Sequence, residues 1–311
     1  MPSSKTPVIF DTDPGIDDAM ALIFLNACKR LEVIGVTTVF GNASVEQCTN
    51  NALYLCERFN IQAPVHAGAG KTFEGVDGDD YPTFVHGEYG LGDLNATPAS
   101  RKQESPDAVN FLIESALKHA GELIIIAVGR MTNLAQAIAA SDEFSRSVKQ
   151  VVTMGGAVNV PGNVSQWAEA NIFGDPEATD IVFKSGIPIT LVGLDVTMKT
   201  IMSRSYIQGL TGKCGDAGVL LSQITPYYLD YYHSQTGENG FACHDSSAVA
   251  HAENPDIHKT VRGTLSVVLA GEERGRTLFR RDESGNHEFC SEVDAPTLLK
   301  TYENYLVEAY A

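Results

Sequence analysis

The stretch DTDPGIDDAM, residues 11–20, sets four aspartates, Asp11, Asp13, Asp17 and Asp18, around a Pro14-Gly15 turn directly behind the apolar run Val8-Ile9-Phe10. Carboxylates this close repel one another, so either they face solvent separately or a cation holds them together. Asp13 precedes Pro14, which disfavours the α region and keeps Asp13 extended. Gly15 then allows a tight turn into a helix, so Asp17 and Asp18 fall in its first turn. The helix dipole favours negative charge there by a few tenths to about 1 kcal/mol, too little to gather Asp11 and Asp13 as well. A divalent cation could. The loop offers only oxygen donors, which suits calcium with its roughly six to eight oxygen ligands rather than zinc. The spacing lacks the glycine and glutamate of an EF-hand loop.

Positioning such a loop needs a rigid frame. Val8–Phe10, Val33–Phe40, Leu123–Val128, Val148–Met154 and Ile187–Leu194 are near-continuous apolar runs, the pattern of parallel strands buried on both faces. Amphipathic helices lie between them. Ile16, Met20, Ile23, Phe24 and Ala27 share one helical face, and a second helix is expected over 105–119 with Ser105 as N-cap and Pro106 at its first position. This alternation predicts right-handed βαβ crossovers and an α/β fold, an open doubly wound, mostly parallel sheet flanked by helices. With no convincing linker or repeat, residues 1–311 are expected to form a single domain. Residues 71–104, rich in Gly, Asp and Pro, read as a long loop, and 203–243 as partly helical before the Gly-rich QTGENGFACHD. Both are expected at the carboxyl edge of the sheet, where open α/β folds bind ligands.

The formal charge of −17 and the absence of a basic cluster argue against a nucleic-acid partner, whose phosphates need Lys and Arg. No apolar run approaches the roughly 18 residues of a membrane span, and the first residues lack a signal-peptide pattern, so a cytoplasmic protein acting on small molecules is expected. Cys28, Cys48, Cys56, Cys214, Cys243 and Cys290 are scattered without a C-x-x-C pair and read as reduced, mostly buried thiols. His66, His119, His251, His258 and His287 read as ordinary surface or core residues, and His233 stays open.

The segment DTDPGIDDAMAL resembles the signature of the nucleoside hydrolase family, calcium-dependent N-ribohydrolases of the inosine-uridine type. TTVFGN (37–42), VHGEYGLG (85–92), VGRMTNLA (128–135), MGGAVNVPGN (154–163), AEANIFGDPEA (168–178), GLDVT (193–197) and HDSSAV (244–249) agree in order along nearly the whole chain. The resemblance implies hydrolysis of the N-glycosidic bond of ribonucleosides in a Rossmann-like fold, by a homodimer or homotetramer. It implies Ca2+ held by Asp13, Asp18, Asp245 and the backbone carbonyl of Val128, with Asp11 orienting the loop and Asp17 accepting from a ribose hydroxyl. Asp13 would be the general base toward a water on the calcium. Asn42, Asn163, Glu169 and Asn171 would hold ribose hydroxyls, the last three toward the 5′ side.

His244 is delivered to the same cavity if Asp245 grips the metal, and its imidazole suits protonation of the leaving base. His86 is a second base-side candidate. In the cluster Tyr227, Tyr228, Tyr231 and Tyr232, helical spacing puts Tyr228 on one face with Tyr231 or Tyr232; core packing is the default and Tyr231 the choice for an aromatic wall. Arg130, Trp167 and Ala170 depart from the family pattern near the expected cavity, and Arg130 is expected to pair with a surface carboxylate. The whole looks most like the uridine-cleaving branch.

Two other readings stand beside this one. A haloacid-dehalogenase-type phosphohydrolase would use Asp11 as nucleophile, Asp13 as acid-base and magnesium, but leaves Pro14 to Asp18 unexplained and lacks its downstream lysine. A non-catalytic calcium- or nucleoside-binding protein would keep the same shell without turnover.

Overall fold

Each of the five continuous apolar runs contains a strand whose side chains enter core on both faces. The computed structural model describes residues 5–78, 81–96, 100–105 and 107–311. Its strands are β1 (Thr6–Thr12), β2 (Leu31–Thr38), β3 (Val65–Ala67), β4 (Ile124–Ala127), β5 (Gln150–Met154), β6 (Ile189–Val192), β7 (Ile201–Ser203), β8 (Gly240–Ala242), β9 (His258–Val267), β10 (Thr277–Arg281) and β11 (His287–Val293). The two-residue period of β1 splits its side chains cleanly: Val8 and Phe10 join one apolar core, Ile9 the other.

Nine strands form one sheet in the order β10-β9-β11-β6-β5-β4-β1-β2-β3, while β7 and β8 make a separate antiparallel pair. From β3 to β6, and on to β11, neighbours run parallel; β9 is antiparallel to both β11 and β10. Strand order therefore reverses between β1 and β4. Such a reversal opens a crevice beyond the carboxyl ends of the two strands, where doubly wound sheets bind ligands. The aspartate loop leaves β1 at that point, and Val128 leaves β4 beside it.

The helix Ile16–Ala27 begins at the aspartate loop and is buried along most of its length. The C-terminal helix Ala295–Tyr310 covers it: the Tyr302 ring, fully buried, lies 4.9 Å from that of Phe24, and its hydroxyl donates to the Met20 carbonyl at 3.3 Å. All six cysteines are buried and free, and among the described residues no helix is long and apolar enough to cross a membrane.

Three expectations need correction. The helix expected from Ser105 runs over Ala108–Lys118, capped by Asp107, whose side chain accepts from the Asn110 amide at 3.0 Å. Ser105 instead bridges to His66 beside β3, and Pro106 lies outside the described residues. The 71–104 stretch is not purely loop, since Thr83–His86 forms a helical turn. Strands β9 to β11 were not among the expected apolar runs; β9 is about half exposed, so its apolar residues are interrupted by polar ones.

Because Tyr302 fixes the back of the helix that carries Asp17 and Asp18, Tyr302→Ala should lower stability in urea unfolding by roughly 3–5 kcal/mol, and Tyr302→Phe by about 1. A loss below about 1 kcal/mol for the alanine variant would show that this contact does not hold the helix.

Candidate active site

Backbone amides and small residues draw the aspartates together. Asp18 closes the start of its helix as an N3 residue: Oδ2 accepts from the Gly15 amide at 2.9 Å and from Asn42 Nδ2 at 2.9 Å. Its Oδ1 accepts from Thr12 Oγ1 at 2.5 Å and from the Asp13 amide at 3.2 Å. Asp13 Oδ2 accepts from the Asn42 amide at 2.8 Å. Asp11 Oδ2 accepts from Thr37 Oγ1 at 2.5 Å and Asn133 Nδ2 at 2.8 Å, which anchors the loop to β2 and to the helix after β4. Glycine is required here for space: a Cβ on Gly15 would stand 2.6 Å from His86 Nδ1, and one on Gly41 2.0 Å from Asp13 Oδ2.

Far along the chain, β8 leads into Cys243 and His244 and then the helix Asp245–Glu253, delivering Asp245 to the same place. Carboxylate oxygens of Asp17, Asp18 and Asp245 lie within 4.8 Å of one another. Asp13 adjoins this triad: the charge of Asp18 raises Asp13, and the charge of Asp13 raises Asp245. Burial is the largest influence on every one of these groups. It raises Asp11, Asp17 and Asp18 from the ordinary 3.8 to about 6, with Asp17 raising Asp18 further, and lifts Asp13 and Asp245 well above the usual carboxylate range. The buried oxygens Asp11 Oδ1, Asp13 Oδ1 and Asp17 Oδ1 have no hydrogen-bond partner. Crowded, desolvated carboxylates with idle lone pairs are what a hard divalent cation satisfies, and the all-oxygen donor set fits one.

The expected sugar contacts are engaged within the protein, Glu169 buried and Asn42 and Asn171 partly so. Glu169 caps the helix Ala170–Gly174, accepting from the amides of Asn171, Gly156 and Ile172 at 2.9, 2.8 and 3.2 Å. Asn163 is exposed, its Oδ1 accepting from the Ala170 amide. Asn171 Nδ2 donates to the Val128 carbonyl at 2.7 Å, the same oxygen expected to ligate. Asn42, as above, steadies Asp13 and Asp18.

On the opposite wall, His244 Nδ1 meets Thr197 Oγ1 at 2.9 Å and its Nε2 meets Tyr232 Oη at 2.7 Å. Tyr228 donates to Asp17 Oδ2 at 3.3 Å, and its ring stands 5.5 Å from that of His86, whose Nδ1 accepts from the Ile16 amide. Burial holds both imidazoles neutral, at about 4. Tyr231 is half-buried at the rim, 5.9 Å from the exposed ring of Phe84. Sequence reasoning therefore picked the neighbour of the tyrosine that touches His244. The signal was present, since Tyr228 and Tyr232 are spaced i, i+4 and share a helix face. Thr197 carried no such signal.

Among the described residues Arg130 makes no ion pair with the surface carboxylate expected for it. It turns inward over the Phe40 ring, 4.2 Å from its centroid, where the strongest charge acting on it is Asp13. Trp167 is stacked by Arg276 at 4.7 Å.

Proton competition follows from these shifts. A carboxylate raised from 3.8 to about 6 lends the metal-free fold stability that is complete below 3.8 and lost as pH rises through about 6. A divalent cation must displace those protons. Calcium should therefore raise Tm strongly at pH 7.5 and little at pH 5 in differential scanning calorimetry, whereas equal rises would contradict a buried carboxylate site.

A family model described as inosine-uridine preferring nucleoside hydrolase matches residues 8–300. The chain is 40% identical to uridine nucleosidase 1 of Arabidopsis thaliana, over 88% of this chain and 81% of that protein. Among solved structures it is similar to a plant nucleoside hydrolase, the PpNRh1 enzyme, at a TM-score of 0.93 and 32% identity, covering 97% of this chain and 99% of that one. It is equally similar to a purine-preferring ribonucleoside hydrolase from Gardnerella vaginalis, at a TM-score of 0.93 and 32% identity over 97% and 98% of the two chains.

Proposed function

We propose a calcium-dependent mechanism from the premise that this chain belongs to the inosine-uridine preferring nucleoside hydrolase family. It hydrolyses the N-glycosidic bond of ribonucleosides, releasing ribose and free base. The observation that carries the mechanism is the pair of buried, unpartnered oxygens, Asp13 Oδ1 and Asp17 Oδ1, beside Asp18 and Asp245.

Asp13, Asp18, Asp245 and the Val128 carbonyl would hold the ion. Calcium, when bound, supplies the positive charge that keeps these carboxylates ionised, offers positions to ribose hydroxyls and acidifies a water. A carbonyl oxygen has two lone pairs, so Asn171 can keep its bond to Val128 and fix that oxygen's direction. Asp13 is suited to act as general base: the Asn42 amide pins one oxygen while the other is idle, and its surroundings raise its basicity. Arg130 moderates that rise by drawing the Asp13 pKa down.

Asp17 accepts from a ribose hydroxyl through its free Oδ1. Asn42, Asn163, Glu169 and Asn171 complete the sugar grip by sharing lone pairs and N–H groups that now serve the protein, and a site built this way discriminates against sugars lacking a hydroxyl. The concentration of carboxylates around the ribose favours a transition state with oxocarbenium character.

At the other side, Tyr232 and His244 hold a proton between Oη and Nε2 that passes to the departing base. Thr197 orients the ring from behind. His86 and the aromatic rim of Tyr231 and Phe84 face the nucleobase. The phosphohydrolase reading gives Asp13 no such partner shell, and a binding module has no need of the Tyr232–His244 pair.

The same proposal includes one domain over residues 1–311, supported by the nine-stranded sheet, a homodimer or homotetramer, as the family resemblance implies, and the cytoplasm as its location. Uridine is the proposed preferred substrate, since the relative from Arabidopsis thaliana is a uridine nucleosidase. Rates on uridine, cytidine, inosine, adenosine and xanthosine should rank uridine first; a higher kcat/KM for inosine would reverse that choice. In a reducing-sugar assay Asp13→Ala should lose roughly a thousandfold or more in kcat, and near-full activity would remove it as base. His244→Ala should slow uridine by about a hundredfold or more yet spare a nitrophenyl riboside, whose leaving group needs no proton. Equal losses on both substrates would end its role at the base.

A further inference from the structure

We propose a second metal site, chemically unlike the first, formed by His251, His258 and Cys290 for a zinc-like divalent ion. His251 stands in the last turn of the helix that begins at Asp245, His258 opens β9, and Cys290 lies in the adjoining strand β11. One ligand atom from each of the three lies within 4.8 Å of the others. Residual exposures are 3%, 6% and 0%, so the cluster is inside the protein.

The donors are set toward one point. His251 Nδ1 is 4.0 Å from Cys290 Sγ, and the two imidazole rings stand 5.4 Å apart at 59°. Both ring nitrogens of His258 are buried without a hydrogen-bond partner. A neutral imidazole normally satisfies one donor and one acceptor, so this ring has given up water at both ends with no return from the protein. An ion between the three would occupy an idle nitrogen. The β9–β11 pairing also shifts register between Cys290 and Glu292, the kind of local irregularity that re-aims side chains beside sites.

Two imidazoles and a thiolate select a borderline or soft ion, and exclude calcium. Tetrahedral zinc, with Zn–N near 2.0 Å and Zn–S near 2.3 Å, wants its ligand atoms roughly 3.3–3.8 Å apart, so the side chains need close by only about 1 Å. Burial keeps His251 at about 4 and His258 at about 3, the neutral form that ligates, and pushes the Cys290 thiol up. On binding, the S–H bond breaks, the sulfur pair bonds the ion, and the proton leaves to solvent. His251 lines a cavity of about 440 Å³ shared with Thr6, Leu31, Gln150 and Glu253. Those first three mark strand beginnings, so this entrance lies at the sheet edge opposite the aspartates, and water can fill the fourth position. The bound ion clamps the far end of the Asp245 helix to the antiparallel strands.

Cobalt(II) titrated into the full chain after chelator treatment reads the site directly. The expected result is about one equivalent giving a thiolate-to-cobalt charge-transfer band, lost in Cys290→Ser, weakened roughly a hundredfold in affinity in His258→Ala, and unchanged in Asp18→Ala. No such band, or one that persists in Cys290→Ser, would overturn the proposal. X-ray absorption of the zinc-loaded wild type decides independently of any variant's folding: one sulfur with nitrogen neighbours supports the site, and a shell of oxygen and nitrogen alone refutes it.

Discussion

Electrostatic repulsion among buried carboxylates is the constraint on which the rest of the structure depends. Asp11, Asp13, Asp18 and Asp245 are nearly inaccessible to water and Asp17 is mostly buried, and desolvation shifts each of the five toward its protonated form. Neutral protein groups answer only part of the charge. Thr12, Thr37, Asn42 and Asn133 supply donors, yet one oxygen each on Asp11, Asp13 and Asp17 stays unanswered. The nearest protein cation, Arg130, carries a single charge and shares it with Asp175. A divalent ion would complete the balance, and in the proposed mechanism it would meet the sugar at the same point.

The fold concentrates this tension at one place. Strand order reverses between β1 and β4, so the loops leaving them diverge and leave a crevice between their carboxyl ends. The helix Ile16–Ala27 rises from the crevice with Asp17 and Asp18 in its first turn, and the helix starting at Asp245 presents its own first residue to them. Both helix N-termini favour negative charge, which eases the crowding without removing it. Gly15 and Gly41 leave the narrow gaps through which His86, Asn42 and Asp13 approach.

How far the sequence disclosed this depends on the kind of signal each residue carries. Strands covered on both faces read as unbroken apolar runs, so β1, β2, β4, β5 and β6 were legible. β9 alternates polar and apolar residues, and the short β3 is only three residues long, which left both without such a run. Ser105 and Asp107 are equally good caps by type; the bridge from Ser105 to His66 decides between them, and that contact spans distant segments. Acidic ligands were legible because four aspartates in eight positions need a reason. The internal employment of Glu169 and Asn42 was not, since a cap and a sugar contact use the same residue types. Nor was the inward turn of Arg130, which depends on the Phe40 ring being there to receive it.

Calcium titrated calorimetrically into the chelator-treated chain at neutral pH, for the wild type and for Asp245→Asn, tests the central claim most directly. The account predicts about one ion per chain in the wild type and a loss of affinity of at least about a hundredfold in the variant, because the distant carboxylate closes the shell. Undiminished binding by Asp245→Asn, or no binding by the wild type, would contradict it.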